Sequence, residues 1–251
     1  MNQYLKNLRK IEFVVTDACT GRCKHCSEGE HTLQGNMIDA DTAADAVRRI
    51  AEEYDIQTVM TFGGEPLLHI GAVEEIMTAA KEMRVARLQV ITNGYFSRSI
   101  PRIREVAERL SRCGVNDLLL SVDAFHQETI PFDFVRIFAE EAKKCHIPIR
   151  LNPAWLKSRE DDNPYNLKTK DILNSISDLH IPVCKGNVIF PEGNALKYLG
   201  EYFEDIASQN PYVEDPCDVK CISFAANGDV LSGNVYQRDI MEIIDSYDPY
   251  L

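Results

Sequence analysis

Three cysteines near the amino terminus have a spacing that suits metal binding. Cys19, Cys23 and Cys26 are separated by three and then by two residues. At the cysteine content of this chain, chance would give such a triple in about one in a hundred chains of this length. The residues between them include Arg22 and Lys24, so the segment is a polar loop rather than part of a core. The sequence therefore predicts that the three thiols bind a metal.

The spacing alone leaves the kind of metal centre open. A tetrahedral zinc site needs a fourth ligand, and a closed site could use Cys23 and Cys26 with Cys217 and Cys221, while His25 lies inside the loop. Such a site would stabilise a binding module without catalysis. An iron–sulfur cluster held by three cysteines would instead leave one iron open to a small molecule. An open coordination site permits catalysis.

A second candidate site follows a predicted strand, in the segment Phe62-Gly-Gly-Glu-Pro66. Its two glycines allow a ligand to approach the main chain closely, and Glu65 supplies a carboxylate. Pro66 ends the strand because it has no N–H to donate. Alone, such a turn is typical of many strand-to-helix connections. In combination with the cysteine triple after the neighbouring strand, it predicts a specific binding site.

Composition and charge exclude several classes of protein. The chain has 251 residues, of which 45% are hydrophobic and 26% are charged, as in ordinary globular domains. Its net charge of −12 argues against nucleic acid or an anionic membrane surface as a partner, because both require a positive surface. The amino terminus lacks the apolar segment of a secretion signal, and no apolar run is long enough to cross a membrane. We therefore expect a cytoplasmic protein with reduced thiols.

Short apolar runs alternate with longer segments of helical periodicity along the chain. The predicted strands cover residues 11–16, 58–62, 88–92, 118–122, 147–151 and 188–190. Segments between them place apolar residues on one helical face, for example Ile103, Val106 and Leu110. This alternation predicts an α/β fold with right-handed crossovers and a parallel sheet, either open or curled into a full or partial barrel. In such folds the chemistry gathers at the carboxyl ends of the strands, where both motifs lie.

The end of the chain follows a different pattern. Residues 221–225 and 230–231 flank Asn227-Gly228, which predicts a tight hairpin. We expect residues 1–210 to form the main domain and residues 211–251 to form a small C-terminal extension. The extension is too short to build a core of its own.

On these motifs the chain resembles the radical S-adenosylmethionine superfamily. The cysteine triple matches the cluster-binding motif of that family, including an aromatic-type residue, His25, before the last cysteine. Residues 62–66 match its glycine-glycine-glutamate-proline element, and the resemblance covers about residues 10–195. It implies a partial (β/α)6 barrel holding a [4Fe-4S] cluster whose open iron binds S-adenosylmethionine. One electron, from a donor such as flavodoxin or ferredoxin, then cleaves this cofactor to a 5′-deoxyadenosyl radical, which abstracts a hydrogen from a substrate.

The resemblance also implies roles for individual residues. The implied ligands of the cluster are Cys19, Cys23 and Cys26. The groups implied to receive the methionine ammonium, through backbone carbonyls and a carboxylate, belong to Gly63, Gly64 and Glu65. Asn93 and Ser121 end the third and fourth strands, where family members place groups on the ribose and the carboxylate. Arg150 on the fifth strand is the expected partner of the methionine carboxylate, because a guanidinium can pair with it bidentately.

The C-terminal extension resembles a reduced form of the SPASM and twitch extensions of this family. Those extensions carry cysteines for auxiliary clusters, with a cysteine five residues after a glycine. Here Gly228 is followed by Gly233 at that place, and no cysteine follows Cys221. The resemblance therefore implies a degenerate extension without a conventional auxiliary cluster. It favours a peptide or protein side chain as the substrate, with a small metabolite or the activation of a glycyl-radical enzyme as alternatives.

Two further expectations concern the substrate. Asp123 and His126 follow the fourth strand at the mouth of the expected barrel, and we expect His126 to be a solvated loop histidine rather than a substrate contact. The sequence begins eighteen residues before Cys19. We therefore expect any peptide leader to need another protein or the barrel mouth itself.

Overall fold

The computed structural model, which describes residues 2–203 and 210–250, alternates strands with helices over most of its length. Its strands are β1 (Lys10–Val14), β2 (Thr58–Phe62), β3 (Arg87–Thr92), β4 (Asp117–Leu120), β5 (Ile149–Leu151), β6 (Ala154–Trp155), β7 (Asn187–Val188), β8 (Cys221–Phe224), β9 (Asp229–Val230) and β10 (Gly233–Asn234). Its α-helices are α1 (Ala40–Glu53), α2 (Ile70–Glu82), α3 (Ile100–Cys113), α4 (Ala124–Gln127), α5 (Phe132–Lys144), α6 (Pro164–Ser175), α7 (Gly193–Leu199) and α8 (Ile240–Ser246).

Six parallel strands form the main sheet, in the order β5-β4-β3-β2-β1-β8. One face of this sheet packs against the helices. Phe13 and Val59 are fully buried on that face, in the same core as Val47 of α1 and Val73 of α2. The predicted α/β fold, with parallel strands joined through helices as in a partial barrel, is confirmed.

Local chemistry explains where the connecting helices begin and end. The Asp39 carboxylate accepts a 2.9 Å hydrogen bond from the Thr42 N–H and caps the start of α1. Helix α3 ends at Gly114, whose φ of 94° lies in the left-handed region that glycine adopts without strain. These ends set the length of each crossover and bring the next strand back to the same end of the sheet.

The second face of the main sheet carries half-exposed side chains. Because side chains alternate along a strand, Glu12 and Val14 on β1 point away from the helices. Phe62, Ile91 and Leu119 are half-buried on the same face of the neighbouring strands. We call this surface, defined by these five residues, the open face. It leads up to the carboxyl ends of the strands.

The predicted sixth strand, residues 188–190, lies beside β5 but outside the main sheet. Strand β7 pairs in parallel with β6 in a separate two-stranded sheet, and a single bridge joins Leu151 to Val183. Pro153, between β5 and β6, has no N–H for a continuous ladder. Gly186, with a φ of 77°, turns the opposite chain just before β7. The prediction of a sixth strand of the main sheet at this place was therefore wrong.

The sixth strand of the main sheet comes from the C-terminal extension. Strand β8 pairs in parallel with β1, and the Phe224 ring stacks on Phe13 with ring centroids 4.6 Å apart. The turn at Asn227-Gly228 is present, with the Gly228 N–H donating to Ala225 O at 2.9 Å. The antiparallel hairpin, however, pairs β9 with β10. The pairing predicted between residues 221–225 and 230–231 was wrong, because burial of Phe224 against β1 directs that segment into the sheet.

The boundary expected at residue 210 stays a prediction. Residues on both sides of it contribute to one core, which includes Ile11 of β1 and Ile222 of β8. Across the described residues, the helices are too short or too polar to cross a bilayer.

Candidate active site

Two loops meet at the carboxyl ends of β1 and β2. The Gly64 N–H donates to Thr16 O, and the Glu65 N–H donates to Ala18 O, both at 2.8 Å. A Cβ atom at Gly64 would lie 2.2 Å from Ala18 O, so a residue with a side chain cannot occupy this position without separating the loops. These contacts bring the turn at residues 62–66 against the loop that carries the three cysteines.

The cysteine loop holds its thiols in a partly buried setting. Burial, followed by the charge of Glu65, raises the pKa of Cys19 to about 12. Burial, followed by the charge of Asp123, raises the pKa of Cys23 well above its usual value. Both thiols therefore keep their protons at neutral pH when no metal is bound. A metal that binds them must displace those protons, so binding will be favoured at higher pH.

Asn194 holds the cysteine loop from the other side. Its Nδ2 donates to Cys23 O at 3.1 Å and to Gly29 O at 3.0 Å, and its backbone N–H donates to Cys26 O at 2.8 Å. The Asn194 side chain is almost fully buried. Sequence reasoning missed this residue, because an asparagine at the start of a short helix carries no sign of a partner some 170 positions away.

Glu65 braces two strand ends from inside the protein. Its buried carboxylate accepts hydrogen bonds from the Leu67 N–H at 2.9 Å, Thr92 Oγ1 at 2.7 Å and the Asn93 N–H at 2.8 Å. Burial raises the pKa of this carboxyl to about 7, against the lowering effect of the hydrogen bond from Thr92. These three donors occupy most of the acceptor sites of a carboxylate. The carboxylate expected to receive an ammonium therefore serves the fold instead.

Asn93 and Ser121 lie at the same edge of the sheet as the cysteine loop. Asn93 Nδ2 donates to Thr20 Oγ1 at 3.2 Å and lies 3.6 Å from Cys19 Sγ. Ser121 is buried directly after β4, where its N–H donates to Thr92 O at 2.9 Å. The structure thus brings Asn93 into contact with the cysteine loop and places Ser121 two strands away from β2, at the same end.

Arg150 lies apart from the other candidate residues. Its Nε and Nη2 donate to Asp117 Oδ1 at 3.0 and 2.6 Å, at the amino end of β4. A cavity of about 670 Å³ opens beside them, at the opposite end of the sheet from the cysteines. The nearly buried carboxylate of Asp117 attracts the guanidinium downward along the open face. The expectation that Arg150 would reach a ligand beside the cysteine loop does not agree with this position.

A small cavity of about 220 Å³ lies beside Cys26 and is lined by Gly63, Gly64 and His31. His31 Nε2 is 3.4 Å from Cys26 Sγ, and Nδ1 donates to Asp17 O at 2.8 Å. The hydrogen bond with Cys26 raises the pKa of His31 to about 9. Sequence reasoning missed His31 because nothing in its polar, loop-like surroundings distinguishes it from a solvated histidine.

Asp123, His126 and His25 form a compact group beside the cysteine loop. Burial opposes ionisation of Asp123, but the charge of His126 and its hydrogen bond lower the pKa of this carboxyl to about 2. Burial lowers the pKa of His25 to about 4. The rings of His25 and His126 meet edge to face, with centroids 4.7 Å apart. The expectation of a solvated His126 was wrong, because Asp123 holds its ring against the loop.

The donor set of the loop fits an iron–sulfur cluster. The three cysteine thiols are free, and they do not form a group tight enough for one ion within the described residues. A cubane places each thiolate on a different iron, so it does not require such a group. The closed zinc site expected from Cys23, Cys26, Cys217 and Cys221 is ruled out by position. Cys221 pairs with Lys10 at the amino end of β1, whereas Cys23 follows its carboxyl end.

Comparisons with known proteins agree with this geometry. Residues 13–206 match the model of the radical SAM superfamily. A probable GTP 3′,8-cyclase of Saccharolobus islandicus is 26% identical over 224 residues, which cover 82% of this chain and 68% of that protein. A similar protein of Sulfolobus acidocaldarius is 32% identical over 158 residues, covering 59% of this chain and 48% of that one.

Solved structures share the fold. SuiB of Streptococcus suis, bound to S-adenosylmethionine, matches with a TM-score of 0.62 and 13% identity over 97% of this chain. The chain spans 66% of the length of SuiB. The enzyme anSMEcpe, with bound AdoMet, matches with a TM-score of 0.58 and 16% identity, covering 95% of this chain and 80% of that one. Since the family model matches most of the chain, the protein belongs to the radical SAM superfamily of enzymes, whose cofactors are a [4Fe-4S] cluster and S-adenosylmethionine.

Proposed function

We propose that this protein generates a substrate radical by abstracting one hydrogen atom from a bound substrate. Cys19, Cys23 and Cys26 hold the cluster, which supplies the electron that cleaves S-adenosylmethionine. The single observation that carries this proposal is the pair of 2.8 Å backbone hydrogen bonds that fix the Gly63-Gly64 turn against the cysteine loop. The turn thereby presents backbone carbonyls next to the thiols, where an amino group of the cofactor can be received.

The chain positions the cofactor through groups at the carboxyl ends of its strands. In our proposal the carbonyls of Gly63 and Gly64 receive the methionine ammonium. Asn93 and Ser121 contact the ribose or the carboxylate. Glu65 acts indirectly by holding the two strand ends together, and Arg150 takes no part. The electron comes from a small donor protein such as flavodoxin or ferredoxin.

The open face below the cysteine loop is the proposed substrate site. Its upper part, formed by Val14, Phe62, Ile91 and Leu119, is apolar and half-buried. A carbon atom that loses hydrogen to a radical must lie in such a dry place, because water and polar groups would intercept reactive intermediates. We therefore propose that the substrate presents an aliphatic carbon to these four side chains.

The charges of the open face favour a neutral or cationic substrate group. Its described basic side chains have acidic partners: Lys10 pairs with Glu12, and Arg87 and Arg150 both pair with Asp117. No such cation is left to receive a phosphate in the part of the face that the structure describes. The net charge of −12 adds to the repulsion of anions. These observations support a peptide or protein side chain as the substrate.

A small anionic metabolite is the second candidate, because the sequence relatives are named as probable GTP 3′,8-cyclases. The two candidates differ in charge and can be separated directly. The cluster is reconstituted anaerobically, and the protein is incubated with S-adenosylmethionine, a chemical reductant and either perdeuterated peptides or deuterated GTP. We expect deuterium to appear in 5′-deoxyadenosine from a peptide and not from GTP. Deuterium transfer from GTP would contradict the peptide proposal and leave the radical chemistry intact.

Two variants test the cofactor chemistry itself. Cys19→Ala removes one proposed ligand, and we expect it to abolish formation of 5′-deoxyadenosine and to lower the iron content. Cys217→Ser is the matched control, because Cys217 is exposed and far from the loop. A wild-type protein that stays colourless after reconstitution and forms no 5′-deoxyadenosine would overturn the proposed function.

A further inference from the structure

A metal-binding geometry lies beside the cysteine loop and involves only one of its thiols. The ligand atoms of Cys23, His25 and His126 all lie within 4.8 Å of one another, and no other group of this kind occurs in the described residues. Cys23 comes from the cysteine loop, and so does His25, whereas His126 comes from α4 after the fourth strand. One thiol and two imidazoles form a ligand set that zinc binds in proteins.

His126 is already oriented as a metal ligand. Its Nδ1 lies 2.9 and 2.8 Å from the two carboxylate oxygens of Asp123, so Nδ1–H donates to that carboxylate. The lone pair of the neutral ring is then on Nε2, which remains free to bind a metal. Carboxylate, histidine and metal occur in this order in many zinc sites, because the carboxylate fixes the ring and strengthens the nitrogen as a ligand.

Asp123 is itself held rigidly. Its carboxylate accepts the N–H groups of Phe125 and His126 at 3.0 Å each and that of Ala154 at 3.0 Å. The side chain is fully buried. The orientation of His126 therefore does not depend on a mobile partner.

His25 contributes a buried polar atom that has no partner. Its Nδ1 is enclosed and makes no hydrogen bond within the described residues. Buried polar atoms are almost always hydrogen-bonded, so an isolated one calls for a ligand. Because nothing is bound at Nδ1, the ring can turn toward a metal without losing a hydrogen bond there.

The remaining geometric change is small. Zinc bonds of about 2.0–2.3 Å require ligand atoms to be roughly 3.3–3.8 Å apart in a tetrahedral site. The present separations of up to 4.8 Å therefore need to shorten by about 1 Å. The His126 side chain is 15% exposed, which leaves it some freedom to move and provides a path for an ion from solvent.

We propose that the cluster-free protein binds one zinc ion through Cys23, His25 and His126, with a water molecule as the fourth ligand. A second consequence rests on the proposed function: because Cys23 is also a cluster ligand, zinc and the iron–sulfur cluster exclude each other. Zinc bound in this way blocks maturation of the enzyme until it is removed.

Titration of the metal-free, full-length protein with Zn²⁺ and with Co²⁺ tests the site. We expect one equivalent to bind, and Co²⁺ to give the intense visible absorption of a tetrahedral site together with a sulfur-to-cobalt charge-transfer band. His126→Gln should weaken Zn²⁺ binding at least tenfold, and Asp123→Asn should weaken it by about 10- to 100-fold. Cys217→Ser is the control and should bind as the wild type does.

Equal Zn²⁺ affinity in the wild type, His126→Gln and Asp123→Asn would overturn the proposal, since the cysteines alone would then bind the ion. Circular dichroism shows whether each variant is folded. Since His126 is partly exposed, His126→Ala provides a second variant if His126→Gln unfolds.

The exclusion of the cluster is tested separately. Zinc-loaded protein is offered iron and sulfide, and we expect iron uptake only after zinc has been chelated. Full iron uptake with zinc still bound would overturn exclusion and leave the zinc site standing. If zinc binds as described but the metal-exchanged protein never forms 5′-deoxyadenosine, the proposed function fails and the zinc site does not.

Discussion

The carboxylate of Glu65 accepts a 2.8 Å hydrogen bond from the backbone N–H of Asn93, joining the turn after β2 to the end of β3. Through this contact, a residue of the glycine-rich turn fixes the position of an asparagine that touches the cysteine loop. The Glu65 side chain acts as a positioning residue inside the fold. The geometry around the thiols therefore depends on a group that does not itself face the ligand.

Replacing Glu65 by glutamine tests this brace. The amide nitrogen of Glu65→Gln would face donor groups instead of accepting from them, so we expect a loss of about 1–3 kcal/mol in the free energy of unfolding. We also expect weaker binding of S-adenosylmethionine to the reconstituted protein. Urea denaturation and equilibrium dialysis measure the two effects. Unchanged stability and affinity would contradict the brace.

The same residue predicts a pH dependence of stability. Burial raises the pKa of Glu65 to about 7 in the folded protein, from a model value of 4.5. Between these values the folded state retains a proton that the unfolded state has lost, so the Glu65 contribution to stability falls as pH rises from about 4.5 to about 7. We expect Glu65→Gln to lack this fall. Parallel slopes for the wild type and the variant in urea denaturation across this range would contradict the assignment.

Gly64→Ala should separate the two loops of the site. A Cβ atom there would meet Ala18 O at 2.2 Å, and backbone must move to relieve the contact. We expect a loss of at least about 1–3 kcal/mol in stability and loss of cofactor binding. Gly71→Ala in α2 is a matched control because nothing lies within 4 Å of its Cβ position. The control should be neutral or stabilising by up to about 1 kcal/mol.

Asn194→Ala should loosen the cysteine loop. The substitution leaves the carbonyls of Cys23 and Gly29 without their side-chain donor, and we expect about 1–3 kcal/mod less stability with faster release of iron to a chelator. Lys197→Ala on the same helix is the control, since its exposed ion pair with Glu30 contributes little. Equal rates of iron release from both variants would show that Asn194 does not hold the loop.

Arg150→Gln distinguishes the sequence-based expectation from the observed geometry. Since the guanidinium pairs with Asp117 at the far end of the sheet, we expect the Kd for S-adenosylmethionine to stay within twofold of the wild-type value. Stability should decrease, because the nearly buried Asp117 loses one partner. An increase of tenfold or more in the Kd, measured by equilibrium dialysis, would restore Arg150 as a carboxylate ligand.

The sequence by itself determined the features that depend on local spacing. The cysteine triple, the Gly63-Gly64 turn and the alternation of strands with helices are all read within a few residues, because motif spacing and side-chain periodicity are local properties. The rule that parallel strands end at one edge of a sheet then placed both motifs together without knowledge of the structure.

Only the tertiary structure decided the contacts that join distant parts of the chain. The direction of the Arg150 side chain depends on a buried carboxylate on another strand, and the partner of β8 depends on the packing of Phe224 against Phe13. Asn194 and His126 likewise gain their roles from groups far away in sequence or buried by the fold. Such contacts arise from burial and from the pairing of polar groups inside the protein, which no local spacing encodes.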